Sequence, residues 1–548
     1  MSQPSQTEWE AVTKGTFVNV GGGLAMIGVK SLGLVLRAIF GGVAYGLFIT
    51  AYKIIEQITY LLLGGFVDSI VLYAARYLPR SADTALPDPS DPIVRGPVLP
   101  SDAEVAALSD AEREERLYRA LATAIGVPVV LGLLAALALQ ALAPWLHATV
   151  WKQHPVLIVT MVQRLSWALP LLVLMQLPAE AIKAHLKWGW PVAIVQVVFP
   201  TLTLVGALAS QWLFDRGILA LADGVLLGFA VCVPLSLFAF AQSFSLSKLL
   251  RAMLRFQIDR EVVGFALPQG LNMALNQGLV NVDVIVLSGV VSANTLGVYS
   301  NVVDMTQMIR VAKLALSGVY SPLAARLNAA GNRVALENAM QRMGTMTALL
   351  SLPVLLVVMT IYPGLVISSK EPWTWPAVFP WLLAIGPMMS CFFGLAGNTL
   401  LMVGRPKLLL ANSAAAGTLN VVLNLVLVPL AGVLGAAVAT ATSNATISLL
   451  QLVELARLER LRFHAAMYAR TLAAGALPVA AVAFLAEPTG RMLTSFTGWP
   501  DALPVRIGVA AAAVTVFAIL YAVLPGPSAL AVWRGTAPPV PERTSAPA

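Results

Sequence analysis

Long apolar segments recur along the chain, and short polar stretches separate them. A helix needs ~20 consecutive apolar residues to cross a bilayer. Fourteen segments meet this requirement and are predicted to be transmembrane helices, at residues 15–37, 43–76, 119–146, 155–180, 189–213, 217–241, 261–290, 296–325, 341–367, 376–403, 407–430, 432–456, 466–486 and 503–524. We therefore predict an all-α integral membrane protein with about 14 transmembrane helices.

The composition supports this prediction. The 548 residues are 58% hydrophobic and 11% charged, with a mean hydropathy of +0.80, whereas soluble domains are ~45–50% apolar and ~25% charged. A soluble enzyme, a nucleic-acid-binding domain and a disordered scaffold are therefore excluded. Cys232 and Cys391 lie in apolar segments and the four histidines show no ligand spacing, so we expect neither a disulfide framework nor a metal site.

Basic residues give the predicted orientation. If the N-terminus is cytoplasmic and the spans alternate, 24 of the 35 Lys and Arg residues fall on the cytoplasmic side, six on the outer side and five within the spans. Cytoplasmic loops of membrane proteins carry an excess of Lys and Arg. Both termini are therefore predicted to be cytoplasmic.

Two stretches of the chain resemble each other and indicate an internal repeat. Tyr45-Gly46-Leu47-Phe48 opens the second span, and Leu296-Gly297-Val298-Tyr299 opens the eighth. Both spans end in a similar way, at Ala74-Ala75-Arg76 and Ala324-Ala325-Arg326. Each stretch belongs to the second span of a six-span block, so two lobes would be related by an axis along the membrane normal and would enclose a central cavity.

This repeat defines the predicted domains. They are an N-lobe of spans 1–6 (1–242) that includes a long polar cytoplasmic loop (78–118), an amphipathic cytoplasmic linker (243–260), a C-lobe of spans 7–12 (261–460), spans 13–14 (461–524) and a flexible C-terminal tail (525–548). Within the loop, Ser101-x-x-Glu104 and Ser109-x-x-Glu112 are capping-box patterns that predict the start of a helix leading into the third span. The basic linker is expected to lie on the membrane surface, where it could contact anionic lipid.

Polar and charged residues at the depth of the spans are the candidate functional site, because such groups are costly in a bilayer and usually face a cavity or each other. The candidates for binding the phosphate or sugar of an anionic substrate are Arg310, Lys313, Lys53, Arg164, Lys30, Gln269, Asn272 and Asn276, and those for ion coupling or gating are Asp304, Asp283 and Glu56. Arg and Lys bind phosphate oxygens by fork geometry or as point charges. Arg310 and Lys313 are neighbours on one helical face and should repel unless something anionic or acidic lies between them.

Structural roles are alternatives for several candidates. Lys53 can pair with Glu56 three residues later in the same helix. Lys30 can extend its amine towards the interface, and Asp283 can be a solvated helix end. For Arg164 both kinds of role are open. The depth of Asp304 and Arg310 favours a functional role for these two residues.

Several motifs resemble those of a known family. The segment 420–440, NVVLNLVLVPLAGVLGAAVAT, resembles a pattern of the polysaccharide flippases of the multidrug/oligosaccharidyl-lipid/polysaccharide (MOP) exporter superfamily, with Val428 where Ile is usual. Gly404-Arg405-Pro406-Lys407 is similar to the basic turn before that pattern, and 296–300 and 41–48 are similar to the openings of the eighth and second spans. The similarity covers about residues 12–460, and the length of the 78–118 loop departs from the family.

The resemblance implies the MOP flippase fold and a relation to O-antigen (Wzx-type) flippases and to the lipid II flippase. It implies that the substrate is an undecaprenyl-pyrophosphate-linked oligosaccharide, moved by alternating access from the cytoplasmic to the periplasmic leaflet of a bacterial inner membrane for O-antigen, capsule or exopolysaccharide synthesis. Membrane lipids and other polysaccharide-assembly proteins are the further partners expected. We expect a monomer with no resident cofactor, and coupling to protons or sodium stays open.

Two other functions are alternatives. A cation-coupled multidrug exporter would share the two-lobe fold, but it would require an acidic cavity, and the five basic residues within the spans argue against it. A membrane glycosyltransferase or ligase would need a catalytic pair at a large outer loop, and the outer loops of this chain are short. We therefore predict that the protein is not an enzyme.

Overall fold

The structure, a computed structural model, describes residues 33, 35–77, 108–185, 189–255, 257–329, 332–367, 378–393, 395–461, 466–497 and 503–524. All regular secondary structure in these ranges is helical. The α-helices are α1 (Gly42–Tyr77), α2 (Asp110–Thr149), α3 (Leu157–Ser166), α4 (Ala168–Ala181), α5 (Gly189–Val192), α6 (Phe199–Phe214), α7 (Ala220–Ala241), α8 (Leu246–Arg255), α9 (Arg260–Ser288), α10 (Ala293–Gln307), α11 (Val311–Ala329), α12 (Arg333–Ile367), α13 (Phe379–Phe393), α14 (Leu395–Met402), α15 (Pro406–Leu458), α16 (Ala466–Thr497) and α17 (Leu503–Val523).

The all-α prediction is confirmed. Helices occupy thirteen of the fourteen predicted spans, and most of the first predicted span, 15–37, lies outside the described residues. By length and composition, eight helices in the described part of the chain could cross a membrane, or nine if the bent pair α13 and α14 forms one span. That count treats α15 as one span, although its 53 residues would extend ~80 Å as a straight helix, more than twice the ~30 Å of a bilayer core.

A glycine divides α15 into the two spans that the sequence predicts. Gly432 has φ 55° and ψ −127°, a non-helical conformation that interrupts the helix, and glycine adopts positive φ without a steric penalty. A Cβ on Gly435 would lie 2.1 Å from the carbonyl oxygen of Leu427, so the returning chain needs a glycine there as well. Before this turn, the Asn424 amide donates to the side-chain oxygen of Asn420 at 3.0 Å, and both residues are fully buried.

The start of α2 confirms one of the two predicted capping boxes. The Ser109 hydroxyl accepts from the Glu112 backbone N–H, and the Ser109 backbone N–H donates to the Glu112 carboxylate at 2.9 Å. This reciprocal arrangement satisfies N–H groups that a helix start leaves without partners. The second pattern, Ser101-x-x-Glu104, lies outside the described residues.

The helices form two compact units. The first unit contains residues 31–300 and 420–436, and the second contains 301–419 and 437 onwards. In the first unit, α1 packs along α9, and a large apolar core joins α1 to α2, α3, α4 and α7. In the second unit, α11 packs against α12 and α14, and α12 also contacts α16 and α17. A lobe boundary at 243–260 stays a prediction.

Candidate functional site

The helical path of the eighth predicted span is broken where its basic residues lie. α10 ends at Gln307, a single 3₁₀ turn covers Met308–Arg310, and α11 begins at Val311. A 3₁₀ turn within a long helix often marks a hinge or strain. The Cys391 thiol, from α13, donates to the carbonyl oxygen of Ile309 at 3.4 Å and so provides a partner for the backbone at the break.

Arg310 and Lys313 form a pair of cations at this break. The Lys313 amine donates to the Ser390 hydroxyl at 2.9 Å, and the Arg310 guanidinium donates to the Gln307 side-chain oxygen at 3.1 Å. Both partners are neutral, and no carboxylate in the described residues forms an ion pair with either cation. A guanidinium has five N–H donors and an ammonium three. The hydrogen bonds to Gln307 and Ser390 use one donor of each cation.

Asp304 does not neutralise this pair. It lies on α10 six residues before Arg310, which places the two side chains ~120° apart around an ideal helix. Asp304 is partly exposed and interacts with other groups of the protein. The second unit therefore holds an unneutralised cation pair with a carboxylate two turns away on another face.

Glu56 is the centre of a separate network in the first unit. The Lys53 amine pairs with the Glu56 carboxylate at 2.9 Å, so the predicted structural alternative for Lys53 is present. Tyr60 donates to the other oxygen of Glu56 at 3.1 Å, and the Asn281 amide of α9 donates to the first at 3.4 Å. Lys53 is almost fully buried. Because its charge is matched within α1, Lys53 is a weaker candidate for binding an anion than Arg310.

Arg164 is also neutralised. It pairs with Asp223 at 2.6 Å, and the Ser210 hydroxyl donates to the second oxygen of the same carboxylate at 3.0 Å. The three residues lie on α3, α7 and α6. This network fastens three helices of the first unit together, so the contacts favour a structural role for Arg164. Sequence reasoning missed Asp223, although an acid at the start of an apolar span is a visible signal.

Asp283 is fully buried near the end of α9, so the alternative that it is a solvated helix end does not hold. One oxygen accepts from the Val284 backbone N–H at 2.8 Å, and the other accepts a short hydrogen bond from the Tyr299 hydroxyl. Tyr299 belongs to the motif that opens the eighth predicted span. Since this carboxyl group lies away from solvent, its protonation would change a buried contact between α9 and α10.

The glycines that the two similar stretches share, Gly46 and Gly297, contact each other. A Cβ on Gly46 would lie 1.6 Å from the Ala293 carbonyl oxygen, and a Cβ on Gly297 would lie 3.2 Å from the Gly46 Cα. α1 and α10 therefore cross with their backbones almost in contact, which only glycine allows. The glycines that the two similar stretches share are a packing requirement of this crossing.

Of the four remaining candidates, only Gln269 has a side chain in the described part of the structure. The Gln269 amide donates to the Asp68 carboxylate at 3.1 Å. The backbones of Asn272 and Asn276 lie in α9, but their side chains are outside the described part of the structure, as is the whole of Lys30. No group of His, Cys, Asp or Glu side chains in the described residues could hold a metal ion.

A second charged cluster lies in the second unit and was missed by sequence reasoning. The Glu459 carboxylate accepts from Arg333 at 2.7 Å and from Arg405 at 3.0 Å, and its side chain is only 4% exposed. Burial raises the pKa of Glu459, but the hydrogen bonds and charges of Arg333 and Arg405 outweigh burial, so the pKa lies below its usual value. Arg405 belongs to the predicted basic turn, so this turn is tied to the end of α15.

Comparisons with solved structures identify the fold. The lipid II flippase MurJ in an inward-closed conformation is 12% identical, with a TM-score of 0.57 over 92% of this chain and 98% of that chain. An inward-facing MATE multidrug-resistance transporter of the MOP superfamily is 14% identical, with a TM-score of 0.58 over 81% and 94%. The MATE multidrug transporter DinF-BH, in a ligand complex, is also 14% identical, with a TM-score of 0.58 over 85% and 100%.

At these identities the likeness concerns the fold. Neither a scan against protein-family models nor a search of curated proteins finds a match to this sequence. The chain is thus an all-α, multi-pass membrane protein with the fold shared by MOP-superfamily flippases and multidrug transporters. Because the fold is common to both kinds of transporter, the substrate class has to be argued from the charged residues.

Proposed function

We propose that the protein is a transporter that moves an undecaprenyl-pyrophosphate-linked oligosaccharide from the cytoplasmic to the periplasmic leaflet of a bacterial inner membrane. The observation that carries this proposal is the Arg310 and Lys313 pair, whose bonded partners are neutral oxygens. Two cations held together in a membrane protein repel each other and are costly to desolvate. A pyrophosphate bound between them would relieve both costs.

The chemistry of such a substrate matches the pair. A pyrophosphate offers several charged oxygens, which an arginine fork and a lysine point charge bind in different ways. The oligosaccharide has to cross ~30 Å of hydrocarbon while the polyprenyl tail stays in lipid. The MOP fold supports this task, because a neighbour with the same fold is a lipid II flippase. Alternating access around the cation pair would expose the substrate head to one side at a time.

Orientation and location follow from the same proposal. The excess of basic residues in the predicted cytoplasmic loops supports cytoplasmic termini. The pathway would be synthesis of O-antigen, capsule or exopolysaccharide, as the motif resemblance implies. Other polysaccharide-assembly proteins would then be partners, and the transporter would act as a monomer without catalysing a reaction of its own.

A cation-coupled multidrug exporter is the second candidate. Two acids of the first unit favour it, the partly exposed Glu56 and the fully buried Asp283, because such residues can take up a cation or a proton. Glu56, however, is already paired with Lys53 at 2.9 Å. Glu56 therefore offers less uncompensated charge than the cations of the second unit.

A deletion strain tests the proposal against this alternative. We expect undecaprenyl-linked oligosaccharide to accumulate in the inner leaflet and surface polysaccharide to be lost, and a plasmid copy of the gene should restore both. A copy with Arg310→Ala should fail at normal membrane protein levels, whereas one with Lys152→Ala, an exposed loop residue, should succeed. Unchanged surface polymer together with new sensitivity to cationic dyes would overturn the flippase proposal and support multidrug export.

A further inference from the structure

The short helix α8 lies against the first part of α2, within the first unit. Leu249 of α8 is buried in the apolar core that includes Leu117 and Leu121. The Ser245 backbone N–H donates to the Tyr118 hydroxyl at 2.7 Å, and Lys248 forms a short ion pair with Glu114. These contacts fix α8 at the place where α2 changes from its charged first turns to its apolar span.

The outer side of α8 combines exposed apolar and basic side chains. Leu254 is 87% exposed and Leu250 is 53% exposed. Arg251 and Arg255 are also exposed, and they lie four residues apart, on one helical face. A helix with this composition is typical of segments that lie in the plane of a membrane interface.

Two cavities adjoin each other along the seam between α2 and α8. One is apolar, has a volume of about 150 Å³ and is lined mainly by Ala122, Gly126, Val127, Val130, Met253 and Ile258. The other, which we call the polar cavity, has a volume of about 310 Å³ and is lined mostly by charged and polar residues, among them Arg251 and Arg255. Ala252 and Gln257 line both cavities, so the two are neighbours. A ligand that fills both must have an apolar part and a polar part.

The polar cavity has an excess of positive charge. Its two acids are each paired, Glu114 with Lys248 and Glu115 with Arg119. No carboxylate in the described residues pairs with Arg251 or Arg255. Two arginines on adjacent turns repel each other, and an anion between them would remove that repulsion.

We propose that the seam between α2 and α8 is a binding site for an anionic membrane phospholipid. Its phosphate would lie between Arg251 and Arg255, and part of one acyl chain would enter the apolar cavity beside Met253. The occupant is a lipid because the apolar cavity opens next to Val130, which is 44% exposed on the membrane-spanning part of α2. The site does not depend on which substrate is transported.

Native mass spectrometry of the delipidated full-length protein tests the site, with dioleoyl-phosphatidylglycerol and dioleoyl-phosphatidylcholine as probes. We expect preferential binding of the phosphatidylglycerol. Basic residues at a membrane surface contribute ~1 kcal/mol each, so Arg251→Gln with Arg255→Gln should weaken that binding about 30-fold, or ~2 kcal/mol. Arg457→Gln with Arg460→Gln, which removes two exposed arginines elsewhere, should leave it unchanged.

Two further measurements separate a lipid site from other anion sites. Dioctanoyl-phosphatidylglycerol should bind more weakly than the dioleoyl lipid, because its short chains fill less of the apolar cavity. Inorganic phosphate at the same concentration should not compete with the dioleoyl lipid. Equal affinity for both head groups, an equal effect of the two double variants or full competition by inorganic phosphate would each overturn the proposal. Surface-polysaccharide export, measured separately, reports on the transport function alone.

Discussion

Substitution of Arg310 should show whether this residue binds the substrate or stabilises the fold. Arg310→Gln removes the charge and leaves a polar side chain of intermediate length. The guanidinium makes one hydrogen bond within the described protein, to Gln307, and a typical bond of this kind contributes ~1 kcal/mol to stability. Removal of the charge also relieves its repulsion with Lys313 and its desolvation in the membrane, which costs several kcal/mol. We therefore expect the thermal unfolding midpoint of the variant to stay the same or to rise.

Substrate binding should change in the opposite direction. A hydrogen bond to a charged group contributes ~1.5–3 kcal/mol, which corresponds to a loss of affinity of about 10- to 150-fold. The assay is binding of undecaprenyl pyrophosphate to the purified full-length protein in nanodiscs, together with the unfolding midpoint of the same samples. Arg310→Lys should retain part of the affinity, because lysine keeps the positive charge but lacks the guanidinium group, which can bind two phosphate oxygens at once. If Arg310→Gln lowers the unfolding midpoint and leaves the affinity unchanged, Arg310 is a structural residue and the argument is refuted.

Three further predictions concern the packing and the charged clusters. Asp223→Asn should lower the free energy of unfolding by ~1–3 kcal/mol in denaturant titrations, because it leaves Arg164 without its counter-charge in a partly exposed site. An unchanged unfolding curve would contradict the structural role of the Arg164–Asp223 pair. Gly46→Leu should abolish accumulation of folded protein, because its Cβ would lie 1.6 Å from the backbone oxygen of Ala293. Gly508→Ala should be tolerated, because a Cβ there would have no atom within 4 Å. Equal yields of the two variants on size-exclusion chromatography would refute the close crossing of α1 and α10. The pKa of Glu459 is lowered in the folded state. The carboxylate therefore stabilises the fold above the ordinary carboxyl pKa of ~4.3, and this contribution is lost as the pH falls through the pKa of the folded state. In a plot of the unfolding midpoint against pH, Glu459→Gln should therefore make the decrease at acid pH less steep.

Much of the fold could be predicted from the sequence because a bilayer permits few solutions. Apolar segments of the required length must be helical in lipid, since every backbone polar group needs a partner within its own segment. The turn at Gly432 could also be predicted, because the combined length of the two apolar segments on either side of it exceeds one membrane crossing. The 3₁₀ turn at Met308–Arg310 was not predicted. The turn is contacted by the thiol of Cys391, which lies on another helix far from Ile309 in the sequence, so local spacing gives no signal of this contact.

The site was less predictable, because helical spacing identifies neighbours on one helix and not partners on another. The pairing of Lys53 with Glu56 could be predicted from their i, i+3 spacing on one helix. The pairing of Arg164 with Asp223 depends on the packing of α3 against α7 and has no signal in local spacing. The same limit applies to Glu459, whose two arginine partners come from distant turns.

The distribution of compensated and uncompensated charge is the strongest guide to the substrate class. In the first unit, Lys53 and Arg164 are each matched by a carboxylate, so these cations mainly fasten helices. In the second unit, Arg310 and Lys313 contact neutral oxygens and still lie beside a break in their helix. Selection for stability alone would replace an unmatched cation pair with apolar residues. The proposed anionic ligand would supply the missing charge, and a change of backbone geometry at Met308–Arg310 would then couple binding of that ligand to movement of the helix.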